Sequence, residues 1–404
     1  MGWVISVSLI QANSRSATSS FPPSSRTRTE HLGFLDGVRG VACLYVMLHH
    51  FLLDLPAKSR LGVLLQDLFS QGHCAVDVFI VLSGYCLALP MLNVAGTIPL
   101  WPFIRRRALR ILPTYYISMI VCLVLIKTLV GQRTGTNWDA SLPVSGRDIA
   151  LHVLLIHEWS TRAAFHINSP FWSIGVEWKI YFLFPALLAL RGRLGATKTA
   201  ALAVGLGYAA WWLINRLNVL NPSAWGSSPY YVGLFALGIW AADLSLPAHW
   251  SKLQSRTALL CFSAWTLATL GVIVLNYVRD WTLAPIQILS GAVGLWAASA
   301  LALLRAGVFP RARKALSTRP FVFMGKIGYT TYLIHAPLAQ FVYQYVYLPS
   351  HLNATLSTLL MPLIFVGLTL AIAVPFYRLF ERPFHELSRR AGQEDALPLS
   401  IGSR

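Results

Sequence analysis

Residues 34–54 read FLDGVRGVACLYVMLHHFLLD. The stretch is long and apolar enough for a membrane-spanning helix, which takes roughly 20 residues. Yet it carries Asp36 and Arg39 at one end and His49 and His50 near the other. Arg39 and His50 are eleven residues apart. At roughly 100° per residue this is about three turns plus 20°, so the two share a helix face about 16 Å apart. Asp36 falls on nearly the same stripe. Ionisable groups are costly in hydrocarbon, and a line of them on one face points to a polar interior or a site. The simpler reading makes Asp36 and Arg39 interfacial, with Arg39 reaching out to head groups.

The surrounding chain supports a membrane setting. Of 404 residues, 55% are hydrophobic and 12% charged, against about 25% charged in soluble domains. Apolar runs of spanning length recur near 34–53, 74–92, 111–130, 171–190, 199–217, 229–245, 257–276, 283–304, 324–347 and 357–378. The expected fold class is therefore all-α: a polytopic membrane helical bundle of about ten transmembrane helices. The run 149–157 is too short to span and reads as a re-entrant or interfacial piece of a long connection, 131–170. Residues 1–32 are rich in Ser, Thr, Pro and Arg and read as a disordered tail without a cleavable signal. The membrane domain is expected over 33–385 and a short cytosolic tail over 386–404, with no appended soluble domain.

A net charge of +18 raises the question of nucleic acid. The basic residues lie between hydrophobic runs instead, which argues against it. With the N-terminus inside, about 22 Lys and Arg fall in inner segments. About six fall outside: Lys58, Arg60, Arg133, Arg147, Arg162 and Arg279. Both termini are expected in the cytosol, and the sequon Asn353-Ala-Thr355 falls in an outer loop, as a glycoprotein would have it. The localisation implied is multi-pass, in an endomembrane or the plasma membrane. Five cysteines form no CxxC pair and read as small buried hydrophobes, with no disulfide frame and no metal site.

Other polar groups break the apolar runs. Asp77 lies early in the second run, where the helix dipole favours it, and Ser83-Gly84 permits close helix approach. Arg105, Arg106, Arg107 and Arg110 precede the third run. As a group they suit a positive-inside anchor. Arg106 and Arg110, four residues apart, share a face and form guanidinium forks suited to phosphates. Pro113 should kink or restart that helix. Ser169-Pro170 suits a helix start. Glu177 and Lys179 are two residues apart on different faces, so Lys179 does not simply neutralise Glu177, and Arg39, His50 or Arg110 are candidate partners. Tyr329, Tyr332 and His335 repeat an i, i+3 spacing; the bland reading is hydrogen bonds tying helices together. Arg378, Glu381 and Arg382 read as an ion-paired helix end.

Taken together, FLDGVRGVACLYVMLHH, DVFIVLSGYCL, RRRALRILPTYY, FWSIGVEWKIYFLFP, Phe235-Ala-Leu-Gly238, MGKIGYTTYLIHAPL and FERPF resemble the acyltransferase-3 family of integral-membrane O-acyltransferases. The likeness runs along most of 33–385, with Arg39 and His50 matching the family's arginine and histidine. It departs at Lys179 and in Gly328–His335, where the family's stretch is richer in serine. The resemblance implies transfer of an acyl group, usually acetyl, from acyl-coenzyme A to a hydroxyl, with no permanently bound cofactor. Acceptors in the family include cell-surface polymer sugars, macrolide sugars and fungal secondary metabolites. The lack of the esterase-like domain of some members leans toward a small lipophilic metabolite, as in a fungal tailoring step, over a cell-wall polymer; the acceptor expected is a hydroxyl of a small metabolite or sugar. The catalytic residues expected are His50, Arg39 and Glu177. Arg106, Arg110, Tyr332 and His335 are expected to hold the acyl-coenzyme A. A proton-coupled transporter and a transmembrane acyl shuttle are the alternatives.

Overall fold

The computed structural model describes residues 32–56, 58–92, 98–217, 228–278 and 286–394. Among these the regular structure is entirely helical. The expected tail at 1–32 lies outside them, apart from Leu32. Helix α1 (Gly33–Leu52) has Asp36 in its first turn and His49 and His50 in its last, the order that suits the helix dipole. A short α2 (Arg60–Phe69), capped by the Ser59 hydroxyl, leads into α3 (Gly72–Ala88).

Helix α4 (Leu100–Thr128) starts well before the apolar run at 111. Its 29 residues measure about 44 Å, against roughly 30 Å for a hydrocarbon core. Arg105–Arg110 are therefore part of a helix that extends past the apolar layer. The expected restart at Pro113 does not occur: the proline sits inside α4. Proline removes only one ladder bond, and membrane helices tolerate that loss where neighbours pack around it.

The connection 131–170 holds α5 (Gly146–Val153), closed by a Ser145–Asp148 capping box. Ser169–Phe171 form a 3-10 turn before α6 (Trp172–Leu194), so Ser169 does not cap α6 itself. Next come α7 (Ala196–Leu217), α8 (Tyr230–Leu244), α9 (Trp250–Leu253), α10 (Arg256–Val278) and α11 (Ile286–Arg305). The chain then runs through α12 (Pro310–Leu316), α13 (Arg319–Lys326), α14 (Gly328–Val342), α15 (Leu348–Ser350), α16 (Ala354–Phe376) and α17 (Arg382–Glu394).

Each expected run coincides with a helix, but the ninth, 324–347, is broken at Ile327 between α13 and α14. Among the described residues six helical stretches are long and apolar enough to cross a membrane, and the bent pair Tyr230–Leu244 and Pro247–Leu253, taken as one span, makes a seventh. Helix α1 is not among them; Asp36, Arg39, His49 and His50 lower its apolarity. Its surroundings account for them, because it packs against α3, α13, α14 and α16.

Close approach fixes the crossing of α3 and α8. A Cβ on Gly84 of α3 would stand 2.1 Å from the Phe235 carbonyl oxygen of α8, and one on Gly238 would stand 2.0 Å from the Val81 carbonyl oxygen. The packing role expected of Ser83-Gly84 is thus met, by the small-residue contact that brings backbones together. Helix α17 lies along α4, with the Ser388 hydroxyl donating to the Arg106 carbonyl at 2.8 Å. It runs through the expected domain boundary at 385, because His385, Ser388 and Ala391 form one buried face. Asn353 of the sequon caps α16, accepting from the Leu356 amide.

Candidate functional site

A cavity of about 480 Å³ opens at the His50 end of α1, lined by His49, His50, the Ser70–His73 turn, Val76, Phe165, Pro170, Trp172 and Tyr332 among others. Its size is that of a small-ligand site. Among the described residues His50 has no hydrogen-bond partner, and its ring packs against His335 with centroids 5.2 Å apart and His49 at 5.0 Å. His49 differs, because its Nδ1 is held by the Phe69 carbonyl at 2.7 Å and the Gly72 amide at 3.2 Å. His335 is fully buried. Its Nδ1 pairs with the Tyr332 carbonyl at 2.8 Å, and its Nε2 has no partner.

Tyr332 lines this cavity and also a narrow inner void of about 20 Å³, room for about one water. The void is walled by Arg39, Glu177, Ser173, Gly328 and Tyr329 as well. Arg39 is 1% exposed. Its Nη1 donates to Asp36 at 2.6 Å, while Nε and Nη2 have no partner among the described residues. Buried donors left open mark a place that suits a water or a ligand oxygen. Asp36 and Arg39 are therefore buried, and the interfacial reading does not hold. Glu177 Oε1 accepts from the Ser83 hydroxyl at 2.7 Å and the Tyr181 hydroxyl at 2.5 Å. The Tyr332 hydroxyl bonds Ser173 at 2.7 Å and the Pro170 carbonyl at 3.1 Å.

These contacts divide the expected site in two. Arg39 and Glu177 share the inner void, and neither touches His50, because three helical turns separate Arg39 from it. His335 and Tyr332, expected to hold the acyl-coenzyme A together with Arg106 and Arg110, stand at the His50 end. Arg106 and Arg110 lie at the opposite end. Arg106 packs on Gly392 of α17, and Arg110 has Arg39, Arg107 and Glu381 as charged neighbours. Two members of the site went unrecognised in the sequence. Arg107, whose guanidinium lies over the Phe103 ring at 5.6 Å, is a charged neighbour of Glu177 and Tyr181. Ser83 reads as packing but also bonds Glu177. Glu381 accepts from the Thr330 amide at 3.1 Å and hydroxyl at 2.6 Å. It thus caps α14, while Arg382 pairs with Glu386 at 2.9 Å.

The connection 131–170 covers the His50 end. Its Asn168 amide donates to the Leu333 carbonyl of α14 at 2.7 Å, and Thr136 and Thr134 clasp Gln340. Lys179 forms its ion pair with Glu158 of this connection, which is why Glu177 is left to other partners. His152 and His157 stack with centroids 3.9 Å apart. Burial lowers the pKa of His152 to about 4; burial and the neighbouring His152 lower that of His157 to about 2. Burial raises the Asp148 pKa, but hydrogen bonds from Ser145 and His166 outweigh it and leave it low. Asp77 differs from expectation too. It is past the first turn of α3 and wholly buried.

With the geometry described, comparison with known proteins decides the family. The acyltransferase-3 family model, an acyltransferase domain, matches residues 32–378. The chain belongs to this family. It is similar to the acyltransferase MdmB of Streptomyces mycarofaciens, 27% identical over 187 residues, covering 45% of this chain and 46% of that protein. It is also similar to the O-acetyltransferase OatA of Staphylococcus aureus, 22% identical over 386 residues, covering 89% of this chain and 58% of that protein. The chain thus spans about half the length of the curated relatives it matches. No solved structure matches this acyltransferase-family chain.

Proposed function

We propose that this chain is a membrane O-acyltransferase that moves an acyl group, acetyl in the simplest case, from acyl-coenzyme A to a hydroxyl of a small metabolite or sugar. The observation that carries this reading is His50: an imidazole without a hydrogen-bond partner among the described residues, facing a ligand-sized cavity, in a family-matched helix. Family membership and relatives named acyltransferase and O-acetyltransferase favour it over a transporter. In this reading ten helices span the bilayer, both termini are cytosolic, and the His50 cavity opens to the outer side.

The acceptor hydroxyl enters the cavity under the 131–170 connection. His50 takes its proton as the oxygen attacks the thioester carbonyl, since imidazole titrates nearest neutral pH. The proton then passes to the leaving thiolate, giving ester and free coenzyme A. His335 packs beside His50 and fixes its ring. Arg106, Arg107 and Arg110 gather the donor's phosphates at the cytosolic end. The pantetheine arm runs past Arg39 and Glu177, where the open Arg39 donors meet a carbonyl oxygen of the arm. Tyr332 stands between void and cavity, so its side chain must swing aside to admit the thioester. A covalent acyl-His50 would use the same geometry.

The test is release of free coenzyme A from acetyl-coenzyme A by detergent-solubilised protein supplied with an acceptor extract. An enzyme releases it in step with ester formation. A carrier leaves the thioester intact, and that outcome would end this reading. Ester found only on the outer side of sealed vesicles would favour the shuttle.

A further inference from the structure

We propose that His73, Cys74 and Asp77 form a binding site for a zinc-class divalent metal ion at the start of α3, on the wall of the His50 cavity. The three occupy one helical turn at i, i+1 and i+4. One ligand atom from each, a ring nitrogen, the Sγ and a carboxylate oxygen, lies within 4.8 Å of the other two. Cys74 Sγ and His73 Nε2 are 3.4 Å apart. Around a tetrahedral zinc, with bonds of about 2.0–2.3 Å, ligand atoms stand roughly 3.3–3.8 Å apart. Small side-chain rotations would complete the geometry.

The independent observation is Asp77. It is 0% exposed, and its two carboxylate oxygens are without a close hydrogen-bond partner among the described residues. The Ser290 hydroxyl is the polar group beside it. A buried carboxylate with no firm partner is costly, and a cation within reach of its oxygen removes that cost. Charge supports the same conclusion. A thiolate, a carboxylate and a neutral imidazole balance a divalent ion, which suits an apolar wall. Donor type narrows the ion, since thiolate with imidazole selects zinc over magnesium or calcium. His73 lines the cavity, so the fourth coordination position can open to it, as in zinc sites that keep a water or substrate. Cysteine and aspartic acid give up protons on binding, so affinity falls with acid. This site does not depend on the acyl-transfer reading.

The experiment uses purified full-length protein in detergent, stripped with a chelator and titrated with Co2+ as a spectroscopic stand-in and then with Zn2+. The result expected is one equivalent of Co2+ with a thiolate-to-cobalt charge-transfer band, displaced by Zn2+. The band is absent in Cys74→Ser, and affinity falls at least about 10-fold in His73→Ala and Asp77→Asn. In parallel, Zn2+ slows alkylation of Cys74, mapped by mass spectrometry, about 10-fold or more. Cobalt bound without the band, a band that survives Cys74→Ser, or alkylation indifferent to Zn2+ would overturn the site. Should Asp77→Asn fail to fold, the Cys74 and His73 variants and the alkylation measurement still decide.

Discussion

At the scale of single residues, Glu177 separates charge from packing. Its Oε1 holds the hydroxyls of both Ser83 and Tyr181. A glutamine keeps an acceptor there and loses only the charge, so Glu177→Gln should fold with its melting temperature near wild type while coenzyme A release slows. Glu177→Ala leaves two buried donors unmatched, at about 1–3 kcal/mol each, and should lower the melting temperature in detergent as well. Equal behaviour of the two variants would place Glu177 outside the reaction. The arginines carry a different prediction. Arg110→Lys keeps the charge but loses the planar fork, so KM for acyl-coenzyme A should rise about 10-fold with kcat nearly unchanged. The Arg39–His50 stripe was legible in the sequence because helical periodicity alone sets it. Arg107 was not. Three consecutive arginines look alike until the start of α4 at Leu100 fixes which one turns toward Glu177. Glu158, far along the chain, took Lys179 for the same kind of reason: a tertiary pairing leaves no mark on spacing.

At the scale of elements, the α3–α8 crossing and the 131–170 connection make opposite demands. The crossing is tight enough that Gly84→Ala sets a methyl against the Phe235 carbonyl. A loss of about 1–3 kcal/mol is expected, read as a lower melting temperature; an unchanged value would mean the two helices part easily. The connection depends on pH. His152 and His157 are buried neutral, with pKa values below the unfolded 6.5. Their contribution is complete above 6.5 and is lost as pH falls toward about 4 for His152 and about 2 for His157. Thermal stability should therefore drop between pH 6.5 and 4, and His157→Phe should flatten that drop. Each of the ten apolar runs met a helix. The break at Ile327 and the passage of α4 through Pro113 were not legible, because neighbours decide whether a lost ladder bond ends a helix. The extent of α17 was hidden likewise, since its buried face exists only against α4.

At the scale of the whole molecule, the account places two ends of one site on two sides of a membrane. In the proposed reaction the arginine end takes a charged donor that cannot cross, and the His50 end takes an acceptor. Single cysteines introduced at Arg105 and Asn137, in a variant free of other reactive thiols, should label from opposite faces of sealed vesicles. Labelling of both from one face would remove the transmembrane path. The proposed base of the acyl transfer is His50, which faces the cavity beside His49 and His335 and far from Arg39. The most direct measurement is coenzyme A release by purified His50→Ala beside wild type at matched folding. The account predicts a fall of about 10²–10⁴ in kcat, with donor affinity kept. Turnover at the wild-type rate would contradict it.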